Sequence, residues 1–165
     1  MIGVFALGFG GFAPEKILTV LGTWLTGDFV GAIVFVPIFS SFYKLYNFPF
    51  RKERIPELIL AGLIHIVIIS VVFLGWPIQF SERYPILYLT IPILLWIAFR
   101  FCVRATSIAL LVTSFFAVVG TLFNQSIFNT GSLNTALINL QLFIFVISLI
   151  ILPITVLLND SKHKR

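Results

Sequence analysis

The longest uncharged stretch of the chain, from Ala105 to Asn159, limits what the chain can fold into. A helix needs only about 20 apolar residues to cross a bilayer, so a single helix does not account for this stretch. The polar segment NQSIFNTGS at 124–132 divides it and predicts helices at 105–123 and 133–158. Water-soluble domains carry about 25% charged residues. Here 10% of the residues are charged and 59% are hydrophobic, which predicts an integral membrane protein.

Further apolar segments predict three more full helices and one partial helix. The full helices are expected at three segments, 17–46, 57–75 and 84–101, and the last of these is expected to be broken by Pro85 and Pro92. Residues 1–12 would form a helix of only about 18 Å, shorter than a hydrocarbon core of about 30 Å, so we expect the chain to begin partway through a longer domain. The predicted fold is all-α: a polytopic transmembrane bundle of about five full membrane helices plus a partial N-terminal helix, over residues 1–159.

Basic residues lie mainly on one side of the predicted membrane helices. If the loop after the predicted helix 17–46 is cytoplasmic, the cytoplasmic side carries most of the basic residues: Lys44, Arg51, Lys52, Arg54, Arg100, Arg104, Lys162, Lys164 and Arg165. The other side keeps Lys16 and Arg83. Because basic residues concentrate in cytoplasmic loops, we expect a cytoplasmic C-terminus and a basic cytoplasmic tail at 160–165. The net charge of +5 has the same cause, and we expect no nucleic-acid partner.

One carboxylate, Asp28, interrupts the apolar segment 19–46. A charge at the centre of a membrane helix costs about 2.5–3.5 kcal/mol, which the apolar neighbours offset, so the segment still inserts. Trp24, placed near the outer interface, puts Asp28 in the outer third of the membrane. Gly27 and Gly31 form a small-xxx-small pair that lets another helix approach closely. Asp28 is therefore a candidate functional residue, and the alternative is a role in helix packing.

Several other polar or aromatic residues inside the predicted membrane helices are candidates for ligand or signal coupling. They are His65, Trp96, Arg100, Asn139 and Gln141. A structural role also explains several of them. A neutral imidazole can bond a backbone carbonyl, tryptophan anchors at membrane interfaces, and a long arginine side chain reaches the membrane surface. The amides of Asn139 and Gln141 need partners inside a helix bundle.

The sequence lacks the motifs of common catalytic and metal sites. It contains no glycine loop followed by a Walker lysine, no GxSxG and no HExxH. His65 and His163 fall on different predicted elements, and the single cysteine, Cys102, excludes an internal disulfide. We expect no enzyme activity, no bound metal and no cofactor.

The segment WLTGDFVG at 24–31, followed by Pro37, resembles the W-x-x-G-D-x-x-G…P helix of MASE1, a bacterial membrane-associated sensor domain. The block LLWIAFRF at 94–101 is similar to the W-x-x-x-R-F/G block of that family, and the helix after it is similar to the family's next helix. The run from Gln141 resembles the family's last helix. The resemblance covers nearly the whole chain, which looks like the C-terminal half or a truncated form of the usual domain.

This resemblance implies a signal-input module in the bacterial inner membrane. MASE1 domains are usually joined to histidine kinases or to cyclic-di-GMP output domains, which are the output partners that the resemblance implies. The chain departs from the pattern because the first helices and an output domain are not found in this sequence. We therefore expect a sensory domain without its own output.

Two functions remain open on the sequence. In a sensory bundle, a small-molecule signal or a membrane partner protein engages Asp28, with Gln141 or Asn139 as neighbours. That engagement shifts the last helix, which at about 39 Å overruns the bilayer. In the alternative, the chain is a small transporter or channel subunit, in which prolines such as Pro37 and Pro153 mark broken helices around a midplane site.

Overall fold

The computed structural model describes residues 14–42, 52–75, 85–128 and 131–163. Within these ranges the chain forms five α-helices and no β-strand. The helices are α1 (Pro14–Phe42), α2 (Ile55–Leu74), α3 (Thr90–Arg100), α4 (Val103–Leu122) and α5 (Leu133–His163), and a 3₁₀ turn (Lys52–Arg54) precedes α2. The predicted all-α fold is confirmed. The partial helix predicted at 1–12 lies outside the described residues.

Three of the described helices are long and apolar enough to cross a membrane. They are α2, α4 and the Leu133–Leu158 part of α5. The other two apolar parts, Leu21–Pro37 in α1 and Pro85–Arg100 around α3, are shorter. The prediction of about five full membrane helices is therefore a slight overcount, while the prediction of a multi-helix membrane bundle agrees with the structure.

The helix predicted at 84–101 is interrupted by a turn just before Thr90, where α3 begins. Pro92 explains the interruption, because a proline ring clashes with the carbonyl group four residues earlier, which here belongs to Tyr88. The amide of Ile91 donates to that carbonyl oxygen at 3.2 Å, as in a tight turn. The proline therefore shortens the regular part of this helix.

The central helix of the described bundle is α4, which packs against each of the other four helices. Half of its apolar span (50%) is buried, against 28% for α2 and 33% for α5. Its buried side carries small and hydroxyl-bearing residues: Thr106, Ser107, Ala109, Thr113, Ala117, Gly120 and Thr121. Small residues let helix backbones come close. A Cβ atom on Gly120 would overlap the carbonyl oxygen of Phe73 in α2, so this contact requires glycine.

Two buried clusters fill the bundle. The first joins α1, α2, α4 and α5 through Val30, Val34, Phe73, Ala117, Leu140 and Ile144. The second joins α2, α3, α4 and α5 through Ala61, Leu94, Ile97, Leu110, Ile147 and Ile151. In the described bundle α1 packs against α4 and α5 and contacts neither α2 nor α3. One long side of α1 is therefore not covered by the other described helices.

Candidate functional site

Asp28 lies on the side of α1 that points away from the other described helices. Thr23, Val30 and Val34 form the buried side of α1, whereas Asp28 is exposed. No residue of the described ranges forms a hydrogen bond or an ion pair with Asp28. The predicted site residue is thus accessible, and its carboxyl group has no partner within this part of the chain.

Apolar side chains share the exposed side of α1 with Asp28. Trp24 is 46% exposed, Phe35 50% and Phe39 70%, and Ala32 is exposed between them. Their spacing of three or four residues puts them on one side of a helix. The rings of Phe35 and Phe39 stack with centroids 6.4 Å apart. We call these five residues, Trp24, Asp28, Ala32, Phe35 and Phe39, the Asp28 strip.

The buried side of α1 makes a polar contact with α5. Thr23 Oγ1 donates to Asn134 Oδ1 at 2.8 Å. One helical turn further on, a Cβ atom on Gly27 would lie 3.0 Å from Nε2 of Gln141. Gly27 therefore gives the Gln141 amide its space, whereas a Cβ atom on Gly31 would meet nothing within 4 Å. The two glycines of the predicted pair thus have different surroundings.

Gln141 belongs to a polar row that runs along α5. The row consists of Asn134, Gln141, Ser148 and Thr155, at a spacing of seven residues. This spacing keeps side chains on one side of a helix that packs in a bundle. Within the described structure, the Gln141 Oε1 and Ser148 Oγ atoms are buried without a hydrogen-bond partner. Asn139 is half-buried on a different side of α5, because residues two apart on a helix point about 200° apart.

His65 links α2 to the central helix α4. The side chain is 2% exposed, and its Nε2 atom lies 2.9 Å from Thr113 Oγ1 and 3.3 Å from the Ala109 carbonyl oxygen. Because Thr113 Oγ1 donates to the same carbonyl at 2.9 Å, Nε2 of His65 carries a proton and donates. This geometry supports the structural interpretation of His65.

Arg100 links α3 to α2 at the other end of the bundle. Its Nε atom donates to Glu57 Oε1 at 2.6 Å, and Arg54 Nη1 donates to the Arg100 carbonyl oxygen at 3.3 Å. Trp96, one turn earlier on α3, is 37% exposed.

The candidate residues thus separate into three groups. The first is the α1–α5 contact together with the exposed Asp28 on α1, the second is the His65 link between α2 and α4, and the third is the Arg100 link between α3 and α2. Sequence reasoning missed the partners Thr23, Asn134, Thr113 and Glu57. The seven-residue spacing of polar residues on the last helix could have revealed Asn134. Thr113 and Glu57 carry no such signal, because their roles depend on how neighbouring helices are rotated. No group of three or more His, Cys, Asp or Glu side chains lies together in the described ranges.

The fold and these contacts define a helical membrane bundle in which one acidic residue has no partner among the described residues. The MASE1 family model matches residues 1–161, nearly the whole chain, so the chain belongs to the MASE1 family. This is a family of membrane-associated sensory domains. No curated protein and no solved structure matches the chain.

Proposed function

We propose that the chain is the signal-input domain of a bacterial signalling system, embedded in the inner membrane, and that it receives its signal at Asp28 on α1. A ligand or a membrane partner protein engages Asp28, and the change in α1 passes to α5. The observation that carries this proposal is the exposed carboxyl group of Asp28, which has no partner among the described residues and stands next to Gly27, the residue that contacts Gln141. Membership of a sensory family supports the same role.

Direct contact between α1 and α5 supplies the route for the signal. Thr23 bonds Asn134, and Gly27 packs on Gln141, so a displacement of α1 must alter contacts of α5. The 31 residues of α5 extend over about 46 Å, more than a hydrocarbon core of about 30 Å. Its last turns therefore extend beyond the membrane, in a position to move an output domain.

A signal can shift a bundle only if it binds one of two arrangements more tightly. The buried Gln141 Oε1 and Ser148 Oγ atoms, which have no partner in the described part of the chain, favour a second arrangement. Buried polar atoms without partners are costly, and a shift of α5 along its polar row would offer them new ones. We propose that the signal stabilises such a shifted position of α5.

The distribution of basic residues supports the proposed orientation of the chain in the membrane, and membership of the MASE1 family supports the proposed output domain. The excess of basic residues on the side that includes the C-terminal tail supports a cytoplasmic position for the C-terminal end of α5. A histidine kinase or a cyclic-di-GMP domain is the proposed receiver, either as a partner or in the same polypeptide.

The test joins residue 163 to a diguanylate cyclase output domain and measures cyclic-di-GMP in cells. Cells that express the wild-type fusion are grown in a panel of media to find one condition with a high cyclic-di-GMP level and one with a low level. We expect Asp28→Asn to give the same output in both conditions, and Asp28→Glu, which keeps the acid, to retain the difference. An unchanged response of Asp28→Asn at equal membrane levels would remove Asp28 from the mechanism.

A further inference from the structure

We propose that the Asp28 strip is the docking surface for a transmembrane helix of a partner protein that carries an arginine or lysine facing Asp28. This proposal rests on the proposed function, because it names the chemistry of what engages Asp28. It commits to a basic membrane helix rather than to a soluble ligand or a second copy of this chain.

The depth of Asp28 in the membrane explains why its carboxyl group needs a partner. The adjoining Gln141 contact lies about 12 Å along α5 from Leu133, at 1.5 Å per residue. That is well inside the apolar span Leu133–Leu158. The aspartate side chain is too short to reach the membrane surface from there. An acid at this depth is normally paired or faces an aqueous cavity.

The helices that pack on α1 cannot provide a positive charge at this level. From Ala105 to Asn159, which includes most of α4 and the apolar span of α5, the sequence has no charged residue. The segment 1–12 has none either. Lys16 stands on α1 itself, about 18 Å from Asp28 along the helix axis. Within the described bundle no helix therefore supplies the counter-charge, and charge complementarity favours a basic helix outside it.

The shape of the Asp28 strip fits a helix. Trp24, Phe35 and Phe39 offer large exposed apolar side chains on either side of the acid. Beside Asp28, Ala32 is small and a Cβ atom on Gly31 would meet nothing within 4 Å. Small residues between large ones allow a second helix to approach closely, with its long basic side chain directed at the acid.

The test uses the full chain reconstituted in phosphatidylcholine vesicles with synthetic polyleucine membrane peptides. One peptide has a single central arginine, a second has leucine there, and a third has glutamate. Energy transfer between a label on the C-terminus of the protein and a label on each peptide measures association. We expect the arginine peptide to bind wild type about tenfold more tightly than the leucine peptide, as expected for a polar contact within a membrane.

Two variants test the charge at residue 28, and a third tests whether the acid must lie within the Asp28 strip. Asp28→Asn should lose the preference for the arginine peptide, and Asp28→Arg should prefer the glutamate peptide. The matched control moves the acid to α5 in the double variant Asp28→Asn/Leu142→Asp, because Leu142 is 57% exposed and lies at the level of Gln141. We expect this control to bind the arginine peptide no better than Asp28→Asn.

Equal binding of the arginine and leucine peptides to wild type would overturn the proposal. Equal arginine-peptide binding by wild type and the Leu142→Asp control would overturn it too, since the strip would then add nothing. Energy transfer between two copies of the chain that disappears in Asp28→Asn would assign the surface to self-association instead. The fusion assay stays independent: if Asp28→Asn abolishes its response while the peptides bind alike, the sensory function stands and the partner chemistry is wrong.

Discussion

Replacement of Gly120 by alanine tests the tightest contact between the central helix and its neighbour. An alanine Cβ would overlap the Phe73 carbonyl oxygen and lie 2.8 Å from its carbonyl carbon and 3.2 Å from its Cβ atom. Ordinary contacts of a Cβ atom are 3.4–4 Å. The neighbouring backbone of α2 cannot rotate away as a side chain can, so α2 and α4 must move apart.

The cost follows from overpacking, which typically destabilises a well-packed core by about 1–3 kcal/mol. The matched control is Gly62→Ala on α2, where a Cβ atom would meet nothing within 4 Å. There alanine should stabilise the helix by about 0.5–1 kcal/mol. We expect Gly120→Ala to be less stable than Gly62→Ala by about 1.5–4 kcal/mol.

Unfolding of the purified protein in a mild detergent, followed by tryptophan fluorescence, measures both variants. A difference of this size should separate their unfolding midpoints by at least about 3 °C. If Gly120→Ala proves as stable as Gly62→Ala, then α2 and α4 do not approach as closely as described, and the central role of α4 is wrong.

Two contacts give further predictions. Thr113→Val removes the hydroxyl that accepts from His65 and should cost about 1 kcal/mol in the same unfolding assay. The control Ser114→Ala removes a hydroxyl that bonds only within α4 and should cost less, and equal losses would contradict the His65 link. Glu57→Gln weakens an exposed pair with Arg100, so its effect should be small and should vanish in about 1 M salt. A large effect that salt does not change would contradict this reasoning.

The polar row on α5 shows why the candidate site was only partly predictable. The sequence identifies Gln141 as an amide that needs a partner, and in the structure its side chain contacts Gly27. The sequence identifies Asn139 for the same reason, yet Asn139 lies on another side of α5. Sequence distance from Asp28 could not separate the two, because the rotation of α5 against α1 decides which amide meets that helix.

Local chemistry allowed the sequence by itself to determine that this is a helical membrane bundle and roughly where its helices begin and end. In a bilayer each backbone group must be satisfied within its own helix, so charge-free length and prolines define the elements. Only the tertiary structure decided that α4 is central, that His65 bonds Thr113, that Arg100 bonds Glu57 and that Asp28 points away from its neighbours. Those facts depend on how apolar helices rotate and pack against one another. An apolar helix sequence is compatible with many such rotations, so the sequence alone does not decide among them.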